Sequence, residues 1–170
     1  MRDESNFLGA ATRSLLSDPP DLLFYLPNDH GNAERLIAMY GKDMKYCHAM
    51  KKWLVWDGRR WHVDETDQAR RLAKQAMLEF LHQAITKAAS EKVEKFARSC
   101  LEAQRISSML SMAECEIYVV PSELDTHPYS LNFLNGTVDR EGIISAHTNR
   151  GTLYSGIALA PPNTSEGETW

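Results

Sequence analysis

An Asp-Gly pair stands between two aromatic segments in residues 53 to 61, and this pattern is a strong signal for a β-hairpin. A type I′ turn needs positive φ at both central residues. Asp57 and Gly58 tolerate that conformation, so Trp56 and Arg59 are predicted to close the loop. The hairpin predicts an antiparallel sheet in the middle of the chain, with strands expected near residues 44 to 48, 52 to 56 and 59 to 63.

Cations and indole rings share this hairpin. The basic side chains are Lys51, Lys52, Arg59 and Arg60, and the flanking rings include Trp53 and Trp61. Two interpretations stay open. Either the tryptophans pack into a core while the cations stay solvated at its rim, or the surface is a platform that binds nucleic acid.

Two helices are predicted after the hairpin. From Thr66 onward, apolar residues recur at steps of three and four for about six turns, which indicates an amphipathic helix capped by Asp64 or Thr66. A second helix is predicted from Ser90 to about Ala113. Because only a short connection near Ala89 separates them, the two helices are expected to pack as an antiparallel pair.

Shorter elements complete the predicted fold. A helix is expected over residues 32 to 40, with Asp29 or Asn32 as its cap and Gly41 at its end, and a short strand over residues 117 to 120. A second hairpin is expected around Asn135-Gly136. The predicted fold class is α+β, with two β-hairpins and short strands packed on an antiparallel pair of long helices.

Charge is distributed unevenly along the 170 residues. The net charge is −4 overall, but it is −3 over residues 1 to 41, +5 over residues 42 to 105 and −6 over residues 106 to 170. A basic middle permits a local site for a polyanion despite the acidic total. Within it, outward-facing cations are predicted near the start of the first long helix, where they oppose the helix dipole: Arg70, Arg71 and Lys74. Anion binding and a solvated face both explain that placement.

The motifs of several enzyme classes are absent. Gly41-Lys42 is followed by Asp43 and lacks the upstream glycine of a phosphate-binding loop, so this chain alone is not expected to hydrolyse ATP. The six histidines are scattered and the three cysteines are widely spaced, which suggests neither a metal site nor a disulfide framework. The carboxylates near Asp64 are better explained as helix caps than as ligands for Mg²⁺. No membrane span or signal peptide is recognised, so a cytoplasmic protein is expected.

Five segments occur in order along residues 29 to 147. They are Gly31-Asn32-Ala33-Glu34-Arg35-Leu36, the hairpin at 53 to 61, Arg71-Leu72-Ala73-Lys74, Leu124-Asp125, and Leu131-Asn132-Phe133-Leu134-Asn135-Gly136-Thr137-Val138-Asp139. Together they resemble the phage and plasmid primase-helicases related to the poxvirus enzyme. One departure lies at residues 139 to 143, where the continuation that is usual in that family is shortened and altered.

The resemblance implies a domain that lies between a primase and a superfamily three helicase and supports helicase assembly on DNA. On this basis residues 29 to 147 are expected to form the accessory, or collar, domain. Residues 1 to 28 would be a linker or docking arm, and residues 148 to 170 a tail or linker towards the helicase. The resemblance further implies a phage- or plasmid-encoded protein in a bacterial host. ATP and Mg²⁺ would belong to the helicase domain and no cofactor to this chain.

The sequence therefore predicts a non-catalytic accessory domain that contacts single-stranded or forked DNA, neighbouring subunits and the primase and helicase domains. The residues predicted to contact DNA are Lys51, Lys52, Trp53, Arg59, Arg60, Trp61, Arg70, Arg71 and Lys74. Two alternatives stay open. One is a pure oligomerisation and linker module with buried aromatics, and the other is a divergent primase or nuclease fragment.

Overall fold

The computed structural model describes residues 20 to 126, the backbone of three short strands between residues 131 and 145, and Leu153. Several sequence predictions therefore lie outside the described residues. They concern residues 1 to 19 of the predicted arm, most of the predicted tail at 148 to 170, and the altered segment at 139 to 143. The domain boundaries stay predictions.

Helices and strands occur in separate runs along the described chain and the strands pair antiparallel, so the predicted α+β fold class is confirmed. The described helices are α1 (Asp29–Tyr40), α2 (Gln68–Thr86), α3 (Glu91–Ser99) and α4 (Ala103–Ala113). The described strands are β1 (Met44–Cys47), β2 (Lys52–Trp56), β3 (Trp61–Val63), β4 (Leu131–Phe133), β5 (Gly136–Val138) and β6 (Ile144–Ser145). Short 3₁₀ turns occur at Leu22–Phe24 and Pro121–Glu123.

The chain divides into two compact units. The first contains residues up to Val55 and residues Val63–Val119, and the second contains Trp56–His62 and the residues from Val120 onward. All four helices named above belong to the first unit. No helix among the described residues is long and apolar enough to cross a membrane.

The strands of the predicted first hairpin are present, but its turn differs from the prediction. Strands β1, β2 and β3 form an antiparallel sheet in that order. The Asp57 N–H donates to the Arg60 carbonyl at 3.1 Å, so these two residues close the loop instead of Trp56 and Arg59. Gly58 has φ +100 while Asp57 is not in the positive-φ region, so the type I′ prediction was wrong.

The second predicted hairpin shows a similar shift of one residue. Strands β4 and β5 pair antiparallel, and β6 adds to β5. Gly136 lies in β5 opposite Phe133, whereas the sequence placed it in the turn. The two residues that connect these strands lie outside the part of the chain that the structure describes.

The first turn of α2 is capped from a distance by Asp64, as the sequence predicted. The Asp64 carboxylate accepts hydrogen bonds from the N–H groups of Gln68 and Ala69, both at 2.8 Å, and from Thr66 at 3.1 Å. Asp67, directly before the helix, is in the left-handed region at φ 60. This bend lets the chain fold back so that one carboxylate satisfies several free donors of the helix start.

Stability should depend on the charge of Asp64. Burial raises the pKa of its carboxyl, but the hydrogen bonds from Ala69, Gln68 and Thr66 and the charge of Arg71 together hold it below the ordinary value. The stabilisation is therefore present above the unfolded-state pKa and is lost as pH falls through the folded-state pKa, below about pH 4.

We expect Asp64→Ala to lower the free energy of unfolding by about 1 kcal/mol at pH 7. The difference from the wild type should shrink as the pH falls below about 4, because the wild-type carboxyl is then protonated. Urea unfolding followed by circular dichroism at several pH values measures this. A difference that stays constant into acid would show that the charged cap is not its source.

The predicted second long helix is two helices, α3 and α4, and the prediction of a long helix pair was wrong. Cys100 and Met109 are both fully buried, yet they are nine residues apart, which places them on opposite sides of a straight helix. A break at residues 100 to 102 turns α4 so that its apolar side also faces the core. At the break, backbone hydrogen bonds reach back three residues instead of four. The Leu101 N–H donates to the Arg98 carbonyl at 3.3 Å, and the Glu102 N–H donates to the Ser99 carbonyl at 3.1 Å.

Helix α2 is the centre of the first unit and contacts α1, α3 and α4. Its side chains Met77 and Phe80 are fully buried. Met44 of β1 and Val55 of β2 join the same apolar cluster, so the first sheet shares one core with the helices. Burial of continuous apolar surface on α2 is what the sequence periodicity predicted.

The segment of residues 20 to 28 contacts this core through Leu22, Leu23 and Tyr25, and helix α1 starts directly after it. Leu22 is fully buried. The Leu22 N–H donates to the Gln83 side chain at 2.9 Å, and the Gln83 amide donates to the Pro20 carbonyl at 3.1 Å. Asn28 caps α1 by accepting from the Gly31 N–H at 2.7 Å, so the prediction of Asp29 or Asn32 as the cap was wrong.

Candidate nucleic-acid interface

The tip of the β2–β3 hairpin is shaped by Asp57. Its carboxylate accepts hydrogen bonds from the N–H groups of Arg59 and Arg60 at 2.8 and 2.9 Å. The second oxygen of the same carboxylate lies 3.6 Å from Nε of Arg60. Arg59 is exposed and Arg60 is half-buried, so Arg59 is the better placed of the two for an external anion.

The two tryptophans of this tip pack on each other. The ring centroids of Trp56 and Trp61 are 5.7 Å apart, at an interplanar angle of 56°. Trp61 is only 1% exposed, so a nucleic-acid base has no access to its ring in this structure. Trp53 is half-buried and packs against the apolar core. The burial of Trp61 favours the first of the two interpretations for that ring.

The lysines of the hairpin are placed differently from its arginines. Lys51 ends the turn between β1 and β2, and its N–H donates to the His48 carbonyl at 3.2 Å. Its φ of 52 is in the left-handed region, which is uncommon for a side chain of this kind. Lys52 opens β2 opposite Cys47. Both lysine side chains are exposed.

The cations at the start of α2 are exposed, but two of them have local partners. Arg71 donates to the Thr66 carbonyl at 2.7 Å and to the Gln68 side chain at 2.6 Å. Arg70 pairs with the Asp67 carboxylate at 3.1 Å. Lys74 lies one turn further along the same side of the helix. The two arginines therefore also stabilise the helix start, which a purely functional interpretation of the sequence did not include.

Arg35 is a residue whose role the sequence analysis missed. It is 1% exposed and donates to three backbone carbonyls: to Leu22 at 2.8 Å, to Leu26 at 3.0 Å and to Tyr25 at 2.6 Å. Its guanidinium also lies over the ring of Phe80, 3.9 Å from the centroid. Burial lowers the pKa of Arg35 to about 10, which still leaves the side chain charged at neutral pH. No spacing rule identifies such a residue.

Among the described residues there is no group of three or more His, Cys, Asp or Glu side chains that could hold a metal ion. The three cysteines are free thiols, with Cys47 and Cys100 buried and Cys115 exposed. Asp64, which the sequence offered as a helix cap or an Mg²⁺ ligand, uses its oxygens for the start of α2.

The fold defines a small α+β domain that carries exposed cations on a hairpin and at a helix start. The family model described as D5 N terminal like matches residues 33–164, which is most of the chain, and the chain therefore belongs to this family. Domains of this family form the N-terminal part of phage and plasmid primase-helicase proteins. No curated protein matches the chain.

Proposed function

We propose that this chain is a non-catalytic domain of a replicative primase-helicase, which contacts DNA and supports assembly of the helicase. The family membership of residues 33–164 carries the proposal, because it links the domain to primase-helicase proteins of DNA replication. In this proposal the parent protein is a poxvirus-like helicase of superfamily three. ATP and Mg²⁺ act in its helicase domain, and its primase and helicase domains are the partners of this chain.

The exposed cations supply the proposed contact with DNA. Phosphate groups are attracted by Lys51 and Lys52 at one turn, by Arg59 at the hairpin tip, and by Lys74 on α2. Arg60, Arg70 and Arg71 contribute charge while their side chains also hold local structure. Trp61 is left out of the proposed stacking surface because its ring is buried.

The test is fluorescence anisotropy with labelled single-stranded and forked DNA over a range of salt concentrations. The variant Lys51→Ala, Lys52→Ala, Arg59→Ala, Arg60→Ala is compared with the wild type. If all four cations contact single-stranded DNA, the plot of log affinity against log salt should become shallower by about 3. Affinity at low salt should fall by at least about tenfold.

A matched control removes four positive charges elsewhere. Lys42→Ala, Lys92→Ala, Lys95→Ala, Arg98→Ala has the same change of net charge and affects exposed side chains only. This control should keep most of the affinity and the wild-type salt dependence. Equal losses in both variants would show that overall charge, and not the hairpin, determines binding.

A module for assembly alone is the second candidate function. The burial of Trp61 and the packing of Trp53 favour it, because neither ring is then a fully exposed stacking surface. A folded wild-type chain that binds no DNA, but forms a concentration-dependent oligomer in light scattering, would replace the proposal of DNA contact with this one. A primase or nuclease fragment gains no support from the described residues, which contain no metal-binding cluster.

A further inference from the structure

Four rings form a continuous row on the first unit. The centroid of Tyr46 lies 5.0 Å from that of Trp53 and 4.8 Å from that of His48, and His48 lies 6.4 Å from Tyr118. We call these four side chains the aromatic row. Neighbouring rings are tilted or edge to face, with interplanar angles between 51° and 79°.

Backbone pairing brings the row together from three parts of the chain. Tyr46 of β1 is opposite Trp53 of β2 in the antiparallel register. Tyr118 arrives through a parallel bridge to Tyr46, in which Tyr46 N–H donates to Ile117 C=O and Val119 N–H donates to Tyr46 C=O, both at 2.9 Å. The short strand predicted near residues 117 to 120 is therefore seen as this single bridge.

The row has a buried end and an open end. Trp53 packs against the core and Tyr46 is half-buried, whereas His48 is exposed and Tyr118 is 57% exposed. The rings are thus held in place by the sheet while the last two present aromatic surface to solvent. Such a fixed arrangement offers base stacking without a large loss of side-chain freedom on binding.

Charge complementarity indicates which partner fits. Lys51 is exposed on the turn that joins His48 to Trp53, so positive charge lies beside the row in the chain. Lys52 is also exposed, but it is paired with Cys47 and lies on the face of β2 opposite to Trp53. Lys51 has a strained backbone conformation, a feature found more often at functional sites. Rings next to cations are the combination that single-stranded nucleic acid requires, because bases stack and phosphates pair with the charges.

Glu114 contacts the row and its negative charge opposes this partner. The Glu114 carbonyl lies 3.1 Å from Nε2 of His48, and since a carbonyl only accepts, this nitrogen carries the proton. The Glu114 carboxylate interacts electrostatically with both His48 and Tyr46. Burial raises the pKa of Glu114, while His48 acts in the opposite direction. A carboxylate here should weaken the attraction for phosphate.

We propose that the aromatic row is a stacking platform for unpaired bases, with His48 and Tyr118 as its contact surface and Lys51 as its phosphate contact. This proposal rests on the proposed function and adds the rings and the form of nucleic acid to it. A duplex keeps its base faces stacked on each other, so the platform selects single strands over duplex.

The test compares a labelled oligothymidine with a blunt duplex of the same length, using anisotropy. His48→Ala, Tyr118→Ala should weaken binding of the single strand by about 5- to 100-fold, with an unchanged salt dependence because the phosphate contacts remain. Tyr118→Phe should recover most of the affinity that Tyr118→Ala loses. Glu114→Gln should strengthen binding, since it removes the opposing charge.

Phe24→Ala is the matched control, because Phe24 is 86% exposed and lies outside the row. It should bind like the wild type. If the His48 and Tyr118 variants also bind like the wild type, while the four-cation hairpin variant loses affinity, the platform is wrong and the proposed function stands. A wild-type chain that binds neither probe overturns both the platform and the DNA contact. Equal binding of single strand and duplex overturns the platform alone.

Discussion

Replacement of Arg35 by Met should lower the free energy of unfolding by about 3 kcal/mol, a large part of the stability of an ordinary domain. The side chain is buried and donates to the carbonyls of Leu22, Tyr25 and Leu26. Met has similar bulk but no donor, so all three carbonyls lose the bond from the guanidinium, while the Leu26 carbonyl keeps the Asn28 N–H as a donor at 2.9 Å. Urea unfolding at pH 7 measures the change.

Arg35→Lys should be almost as destabilising, although it keeps the positive charge. An ammonium is a compact group and lacks the planar fork that reaches several acceptors at once. The exposed control Arg98→Met, on α3, should change stability by less than about 0.5 kcal/mol. If Arg35→Met proved as mild as that control, the guanidinium would not be what holds residues 22 to 26.

Amide hydrogen exchange gives a local measure of the same effect. Leu22 belongs to the segment of residues 22 to 26 that Arg35 binds, and its N–H donates to the Gln83 side chain of α2. In Arg35→Met this amide should exchange faster relative to amides in the centre of α2, because the segment opens more readily than the core. A uniform increase over both regions would indicate global destabilisation instead of local release.

Local patterns in the sequence predicted the helices and strands of this fold better than the breaks and turns that connect them. The periodicity of α2 and its cap at Asp64 were both correct, since each depends on residues close in the chain. The break between α3 and α4 was missed, although its signal is present. Apolar residues up to Cys100 and those from Ile106 onward follow two different phases of the helical period.

The geometry of the hairpin turns was also not predicted correctly from the sequence. The Asp-Gly pair correctly marked a loop between two strands, yet the Asp57 carboxylate binds two loop amides and shifts the closing pair by one residue. A propensity rule for turn residues does not contain this side-chain chemistry. It also leaves the burial of Trp61 undecided, because apolar residues occur on both faces of β2.

Only part of the candidate site could be predicted from the sequence, because the rest depends on contacts between distant segments. Lys51, Lys52 and Trp53 are adjacent in the sequence and were identified as one group. Tyr118 joins Tyr46 through pairing between distant segments, and no spacing in the sequence indicates that contact. The cations were predicted from local patterns, whereas the aromatic row depends on tertiary structure.

Gly31→Ala should destabilise the domain by about 3 kcal/mol, for a reason of space and not of backbone conformation. An added Cβ would collide with the carbonyl oxygen of Leu26 and lie 2.9 Å from its carbonyl carbon. These are backbone atoms of the segment of residues 22 to 26, so they cannot move aside like the end of a side chain. The same carbonyl oxygen accepts from Arg35 at 3.0 Å, which couples the glycine to the guanidinium.

The sign of the change in the free energy of unfolding of Gly31→Ala distinguishes the steric clash from the effect of helix propensity. Gly31 lies in the first turn of α1, where a change from glycine to alanine would otherwise favour the helix by up to about 1 kcal/mol. We therefore expect destabilisation against the propensity. In the double variant with Arg35→Met the losses should be less than additive, because each change alone already releases residues 22 to 26. Full additivity in urea unfolding would show that Gly31 and Arg35 act on different parts of the fold.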